Sequence, residues 1–192
     1  MPKKNEFKPD KPNSGFFSRL FLTRKQRRSA LKWLLYSITL LVLSIIQDVL
    51  LCRVSLLGAT TELVPCGIFL ICLLEGMESG SVFSLCASAV YLFSGSAAGY
   101  YSIVFITALS VGVTAFRQAY LQKSFNATML CTAAALFVYQ LATFAMGLFL
   151  GLTTFGRIGV FCLCALLTTV TAPVIYIPVN AISTIGGESW KE

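Results

Sequence analysis

The stretch WLLYSITLLVLSIIQDVLL, residues 33–51, decides the class of this protein. It is apolar almost throughout, and Gln47 and Asp48 near its end are its only carboxamide and carboxylate side chains. At ~1.5 Å per residue, a helix of this length crosses the ~30 Å hydrocarbon core of a bilayer. The stretch therefore predicts a transmembrane helix that begins at about Trp33.

The composition of the whole chain indicates the same class. Hydrophobic residues make up 56% of the 192 residues and charged residues 12%, whereas a soluble domain has roughly a quarter of its residues charged. Most of the basic residues precede residue 33. The basic residues after that point are Arg53, Arg117, Lys123, Arg157 and Lys191. Such a chain cannot cover a water-facing surface, and the medium that suits it is hydrocarbon.

Five further apolar segments follow the first one, at about residues 63–74, 81–93, 100–116, 127–150 and 158–182. The predicted fold is an all-α polytopic membrane protein, a compact bundle of about six transmembrane helices over residues 32–183. Five spans are the alternative, because the two short segments could tilt or re-enter. Pro173 and Pro178 are expected to interrupt the last helix, and residues 184–192 form a short tail.

Residues 1–31 predict a basic cytoplasmic tail whose first part, 1–13, is polar and disordered. In the segment 14–32, Phe17, Leu20 and Phe21 share one helical face. The basic residues around that face are Arg19, Arg24, Lys25, Arg27 and Arg28. They indicate either an interfacial helix on anionic lipid or charges that only set the topology. A cleavable signal peptide is not expected, since the apolar run starts late and lacks a small-residue cleavage site.

The positive-inside rule predicts the orientation. With a cytoplasmic N-terminus and six spans, Arg117 and Lys123 fall in a cytoplasmic loop, whereas Arg53 and Arg157 lie outside. The C-terminal tail returns to the cytoplasm. Nucleic-acid binding is not expected despite the net charge of +7, because no stacking aromatics or RNA-binding motif accompany the basic run.

Catalysis and metal binding find no support in the sequence. The chain has no histidine, no nucleophile beside a base and no phosphate-binding glycine loop, so an enzyme, a cofactor or a metal site is not expected. The cysteines fall mostly in apolar runs and predict structural roles. Cys162 and Cys164 should point in different directions on a helix. Glu75 and Glu78 lie at a loop, where solvation is expected.

Asp48 is the only acidic residue within a predicted span, and such a carboxylate is by default a functional hypothesis. Because it lies near the end of its helix, we favour a structural role, capping a loop or pairing with Arg53. A proton- or ion-coupled transporter working through Asp48 is an alternative. The neighbouring Gln47 is expected to form a hydrogen bond across a helix interface.

Glycines four residues apart are the spacing that lets helix backbones touch. The pairs are Gly76 and Gly80, Gly95 and Gly99, and Gly147 and Gly151. The first two pairs fall in predicted loops, so their expected use is turn geometry. Small residues at Ser84, Ala87, Ser88, Ala108 and Gly112 are expected to line tightly packed helix faces.

The stretch EGMESGSVFSLCASAVYLFSGSAAGYYSIVFITALSVGVTAFR, residues 75–117, resembles the bacterial rod shape-determining MreD family. That family has an apolar helix ending near a glycine, a glycine-rich short helix, a turn of the type SGSxxG, and an aromatic-led helix closing on arginine. The matching residues are Gln47, Glu75, Gly76, Gly80, Phe83, Ser94, Gly95, Ser96, Gly99, Tyr100, Gly112 and Arg117. The chain departs from the family at Tyr91 and at Glu62 to Val64, where relatives often carry aspartates.

The resemblance implies a non-enzymatic subunit of the rod-elongation complex in the bacterial cytoplasmic membrane. Its implied partners are an MreC-like single-span protein, the elongation glycosyltransferase with its class B penicillin-binding protein, and the MreB cytoskeleton. The family's fold is similar to the substrate-binding subunits of energy-coupling-factor importers. The alternative function is therefore a vitamin- or metal-importer subunit, although the first helix lacks the small-residue docking surface that such subunits often present.

Overall fold

The computed structural model describes residues 24–51, 58–120 and 124–184. Six α-helices occur in these ranges: α1 (Arg24–Ile45), α2 (Leu63–Glu75), α3 (Met77–Phe93), α4 (Tyr101–Tyr120), α5 (Phe125–Phe149) and α6 (Ile158–Ser183). A π-helical segment, Ile46–Leu50, continues α1. The predicted disordered segment, Arg19, Arg53 and the tail after residue 184 lie outside the described residues.

The predicted all-α fold is confirmed, since the described residues form helices and no β-strand. Four helical stretches are long and apolar enough to cross a membrane: Ser29–Val49, Tyr101–Tyr120, Phe125–Phe149 and Phe155–Ser183. The other two helices, α2 and α3, are shorter and apolar. The chain is therefore a membrane protein with a six-helix bundle, and a count of six spans stays a prediction.

Successive helices run in alternating directions along the bundle. The start of α1 meets the end of α2, where Lys32 bonds Glu75, and the end of α1 meets the start of α2, where Gln47 bonds Val64. The end of α4 also reaches the end of α2 through Arg117. We name the end of the bundle marked by Lys32, Glu75 and Arg117 the basic end, and the other end the opposite end.

Helix α2 is the centre of the bundle and packs against all five other helices. Every residue from Leu63 to Leu73 is buried. The sequence explains this position, because LVPCGIFLICLL has no polar face that could turn toward a loop or headgroup. Pro65 lies in the first turn of α2, where a missing N–H disturbs no helical hydrogen bond.

The outer surface of the bundle is apolar. Large side chains such as Leu41, Val90, Val170 and Val174 are more than 45% exposed on three different helices. A soluble protein that exposed such a continuous apolar surface would associate or aggregate. Lipid contact accounts for this surface.

Two expectations about helix bounds were wrong. Helix α6 runs from Ile158 to Ser183 without a break, although it contains Pro173 and Pro178. Both prolines lie on the exposed side of α6, so their rings do not disturb the packed side. Helix α1 begins at Arg24, so the basic residues from Arg24 onward form its first turns. The expected divergence of Cys162 and Cys164 is confirmed, as one is exposed and the other buried.

The glycines serve three different purposes. Turn geometry is confirmed for Gly76 and Gly95, whose φ angles are 92° and 79°. It was wrong for Gly80, which lies inside α3, where a Cβ atom would meet the Cα of Cys72 at 3.0 Å. The pair Gly147 and Gly151 ends α5 instead of joining two helices. In this turn Leu152 N–H donates to the Gly147 carbonyl at 2.9 Å, as in a Schellman motif.

Only some of the small residues predicted to line packed helix faces are buried. Ser84, Ala87 and Ser88 are buried in α3. Ala108 and Gly112 of α4 are exposed, and a Cβ atom on Gly112 would have no neighbour within 4 Å. The expectation was therefore wrong for Ala108 and Gly112, because α4 turns them toward the outer surface.

We expect Gly80→Leu to destabilise the bundle by about 1–3 kcal/mol, because the added side chain pushes α3 away from the α2 backbone. Thermal unfolding in detergent, followed by circular dichroism, measures the change. Gly112→Leu is the matched control, since it adds the same side chain to a helical glycine with open space around it. Equal midpoints for the two variants would contradict the close contact at Gly80.

Candidate functional site

Polar side chains gather at the start of α2, where a helix buried in the bundle leaves unbonded N–H groups. Gln47 of α1 accepts a hydrogen bond from the Val64 N–H at 3.0 Å. Thr168 of α6 accepts one from the Glu62 N–H at 3.1 Å. Neighbouring helices thus cap α2, since Glu62, its own N-cap residue, forms no side-chain cap.

The capping side chain of Gln47 also belongs to a hydrogen-bonded chain across the opposite end. Gln47 Nε2 donates to the Tyr91 hydroxyl at 3.4 Å, and that hydroxyl donates to the Ser96 carbonyl at 3.2 Å. Ser96 Oγ donates to Asp48 at 2.7 Å, and Ser44 Oγ donates to Asp48 at 3.3 Å. Asp48 therefore holds the loop between α3 and α4. Its expected pairing with Arg53 falls outside the described residues.

The end of α2 is held in a different way, by charged side chains. Lys32 Nζ lies 2.7 Å from Glu75 Oε1, and the Tyr36 hydroxyl donates to the same oxygen at 2.5 Å. Arg117 donates to the carbonyl of Leu73, one of the last carbonyls of α2. The expectation that Glu75 is only solvated was wrong, because α1 supplies two partners for it. Glu78, in contrast, is exposed.

Glu62 lies in the connection before α2, and its carboxyl group is enclosed by the surrounding helices. The Gln140 side chain of α5 is its hydrogen-bonding neighbour. Its Oε2 atom is buried and has no hydrogen-bond partner. No basic side chain pairs with Glu62 in the part of the chain that the structure describes, since Lys32 and Arg117 lie at the basic end.

Four other buried oxygens without a well-aligned hydrogen bond belong to the residue before Glu62, to the start of α4 and to α5. They belong to Thr61, Ser102, Tyr139 and Thr143. The side chains of Ser102 and Thr143 lie next to the Tyr139 hydroxyl, and Tyr139 lies within electrostatic range of the Glu62 carboxyl group. We name these five residues the Glu62 cluster: Thr61, Glu62, Ser102, Tyr139 and Thr143. Buried polar groups without partners cost ~1–3 kcal/mol each, so such a cluster calls for an explanation.

Burial controls the acidity of Glu62. Removal of the carboxyl group from water raises its pKa from the ordinary 4.5 to about 7, and the hydrogen bond from Gln140 opposes this rise. The charged form is disfavoured because low-dielectric surroundings solvate it poorly. Glu62 therefore changes its protonation state close to neutral pH, and this places a titrating carboxyl group inside the bundle.

The predicted site residues do not form one site. Gln47, Asp48 and the loop glycines Gly95 and Gly99 lie at the opposite end. Gly76, Gly80 and Arg117 lie at the basic end. Gly112 lies on the outer surface of α4. Of the predicted membrane-surface residues, Arg24, Lys25, Arg27 and Arg28 belong to the start of α1, and Arg27 is exposed.

Sequence reasoning missed the Glu62 cluster. Its members come from the connection before α2 and from α4 and α5, so no local motif joins them. One signal was present: Glu62 directly precedes an apolar run that contains no polar residue, and a helix with such a sequence is buried on all sides. Among the described residues, no group of three His, Cys, Asp or Glu side chains could hold a metal ion.

We expect Gln47→Leu to destabilise the bundle by about 1–3 kcal/mol, because it leaves the buried Val64 N–H without an acceptor. The thermal unfolding midpoint in detergent measures this loss. Gln118→Leu makes the same exchange at an exposed position of α4 and should leave the midpoint almost unchanged. If both variants unfold like the wild type, Gln47 does not cap α2.

The raised pKa of Glu62 predicts a pH-dependent stability. Between pH 4.5, its ordinary pKa, and about 7 the folded state binds more protons than the unfolded state, so stability falls as pH rises through this window. The loss approaches about 3 kcal/mol above pH 7. Unfolding midpoints across the window should show the fall in the wild type and in Glu78→Gln, but not in Glu62→Gln. An unchanged slope in Glu62→Gln would assign the fall to other groups.

Comparisons of the chain with protein-family models, with curated proteins and with solved structures found no match.

Proposed function

We propose that this protein is a non-enzymatic membrane subunit of a bacterial rod-elongation complex, of the kind that its sequence resembles. It binds an MreC-like single-span protein and, through it, the elongation glycosyltransferase and the class B penicillin-binding protein. The MreB cytoskeleton lies on the cytoplasmic side. No cofactor and no catalytic step are part of this proposal.

The observation that carries the proposal is the position of the family-like residues around α2. Gln47 caps its start, Gly76 and Gly80 allow α3 to pack against its end, and Arg117 bonds its last turn. Ser96 of the SGS turn is tied to α1 through Asp48. These contacts support the resemblance, because several of the matching residues are ones on which the packing around α2 depends.

The charge distribution supports a cytoplasmic N-terminus in the bacterial inner membrane. The start of α1 carries Arg24, Lys25, Arg27 and Arg28, and Arg117 lies at the same end of the bundle. Arg157 lies at the other end, at the start of α6. By the positive-inside rule, this distribution supports a cytoplasmic basic end. Anionic lipid of the inner leaflet is the expected neighbour of the exposed Arg27.

Gly112 is the residue through which a single-span partner would bind. It matches the family, and a Cβ atom added to it would meet no atom of its own bundle within 4 Å. Ala108 is exposed one turn before it, and the two form a small-xxx-small pair on the outer face of α4. In a membrane such a pair lets a second helix approach closely, and packing rather than the hydrophobic effect drives this association.

Depletion in a rod-shaped bacterial host tests the function. We expect depleted cells to become round, and we expect an MreC-like protein to co-purify with the tagged wild-type chain in mild detergent. Normal rod shape after depletion, together with no MreC-like protein in the purified sample, would refute the proposal.

Gly112→Leu tests the partner face within the same assay. We expect it to reduce co-purification about tenfold or more, since a bulky side chain prevents close helix approach. Gly159→Leu is the matched control, because Gly159 is an exposed helical glycine of α6 with equally open surroundings. If both variants retain the partner, the α4 face is not its binding surface.

A further inference from the structure

The Glu62 cluster combines one carboxyl group with four neutral hydroxyl oxygens. Ser102 and Tyr139 are each 1% exposed and Thr143 is 4% exposed. The Ser102 and Thr143 hydroxyl groups lie beside that of Tyr139, but none of the three forms a well-aligned hydrogen bond. Glu62 Oε2 is equally without one. Native proteins satisfy most buried polar atoms with protein groups, water or ions. Several unbonded oxygens around one carboxyl group therefore indicate a site that binds something.

From this arrangement we infer that the Glu62 cluster binds a sodium ion, with the Glu62 carboxylate as its charged ligand. The inference stands on the contacts of the described helices and does not depend on the rod-complex function. The sodium ion would share the carboxylate with the neutral oxygens, and a proton competes with it for the same negative charge.

The charge of the cluster selects this class of ligand. One carboxylate balances one positive charge, and divalent cations are usually held by more than one carboxylate or by a larger set of oxygen ligands. Softer metals need thiolate or imidazole ligands. Cys164 is the nearest candidate thiol, but it already donates to the Thr60 carbonyl at 2.7 Å. Among the described residues, no His, Cys, Asp or Glu group suits such a metal.

The surroundings contain no competing charge from a basic residue in the described ranges. The titratable neighbours of Glu62 are Tyr91 of α3, Tyr101 of α4, Tyr139 of α5 and Cys164 of α6. None of these four side chain types carries a positive charge. From the end of the first helical stretch, Asp48 lies within electrostatic range of Tyr91.

Glu62 also lies where a bound cation would affect the packing of several helices. Its N–H is bonded to Thr168 of α6, its carboxyl group neighbours Gln140 of α5, and it directly precedes α2. A cation bound here would join three helices at the opposite end. Its release would leave a charge at a helix start, where the helix dipole offsets only part of the desolvation cost.

Carbodiimide labelling of the wild-type protein tests the inference without any substitution. Dicyclohexylcarbodiimide, an apolar reagent, modifies protonated carboxyl groups, and peptide mass spectrometry measures the modified fraction of Glu62. In a choline buffer we expect labelling of Glu62 that falls as pH rises through about 7, and the labelling of the exposed Glu78 serves as the reference for a solvent-facing carboxyl group. At constant pH near 7, sodium should lower the labelling of Glu62 about tenfold when it reaches about ten times its Kd.

Sodium dependence decides the inference. Protection by sodium, with no protection by choline, supports a sodium site at Glu62. A fall with pH that sodium does not alter shows a protonated carboxyl group without a sodium site and would overturn the inference. Glu62 labelling that follows the pH profile of Glu78 would overturn it as well, as would labelling that responds to neither pH nor sodium.

Thr143→Val distinguishes a cation ligand from a merely unbonded hydroxyl group. The exchange keeps the shape of the side chain, so removal of an idle buried hydroxyl should leave the protein as stable or more so. If the cation is sodium, the variant should instead lose about tenfold in the affinity measured by protection of Glu62. Thr132→Val on the same helix is the control, since its hydroxyl donates to the Thr128 carbonyl.

The unfolding midpoint of Glu62→Gln tests the cation site independently of carbodiimide labelling. The wild type should show an unfolding midpoint that depends on pH or sodium, and the variant should show neither dependence. Equal responses of the wild type and Glu62→Gln would overturn the inference even if labelling occurs. Should Glu62→Gln fail to fold, the labelling of the wild-type protein decides alone.

Discussion

The backbone groups at the two ends of α2 constrain the whole bundle. A helix leaves its first N–H groups and its last carbonyls unbonded, and in a membrane interior each such group is costly. Helix α2 is buried from Leu63 to Leu73 on all sides. Its neighbours must therefore supply the partners. Gln47 and Thr168 do so at the start, and Arg117 does so at the end. The position of each of these three outer helices relative to α2 follows from this requirement.

The two acidic residues that flank α2 lie in different electrostatic surroundings, although both adjoin an end of the same buried helix. Glu75 lies at the helix C-terminus, where the dipole disfavours a negative charge, and there Lys32 and Tyr36 stabilise it. Glu62 lies at the N-terminus, where the dipole favours a negative charge, and no basic residue accompanies it among the described residues. The protein thus gives Glu75 two polar partners and leaves the charge of Glu62 able to change near neutral pH.

Much of the fold could be predicted from the sequence, because hydropathy and length determine where helices lie in a membrane protein. The segments predicted at 63–74 and 158–182 match α2 and α6 closely. Pro173 and Pro178 misled the prediction, since exposed prolines in a long helix do not have to break it. The Glu62 cluster could not be predicted, because it depends on which faces of α4 and α5 turn inward. Periodicity does not reveal this where every face is apolar.

The family resemblance has two possible causes, a shared fold or a shared partner, and the structure separates the residues that speak for each. Gln47, Gly76, Gly80 and Arg117 are all needed to hold α2, so any protein with this bundle would favour them whatever it binds. Gly112 is different, because a Cβ atom there would meet no atom of the bundle within 4 Å, and α-helices generally disfavour glycine by about 1 kcal/mol relative to alanine. Unlike the equally open Gly159, it is one of the residues that match the family, so the fold alone does not account for the match. If the likeness to the rod-shape family extends beyond the fold, the outer face of α4 is therefore the place where it does so.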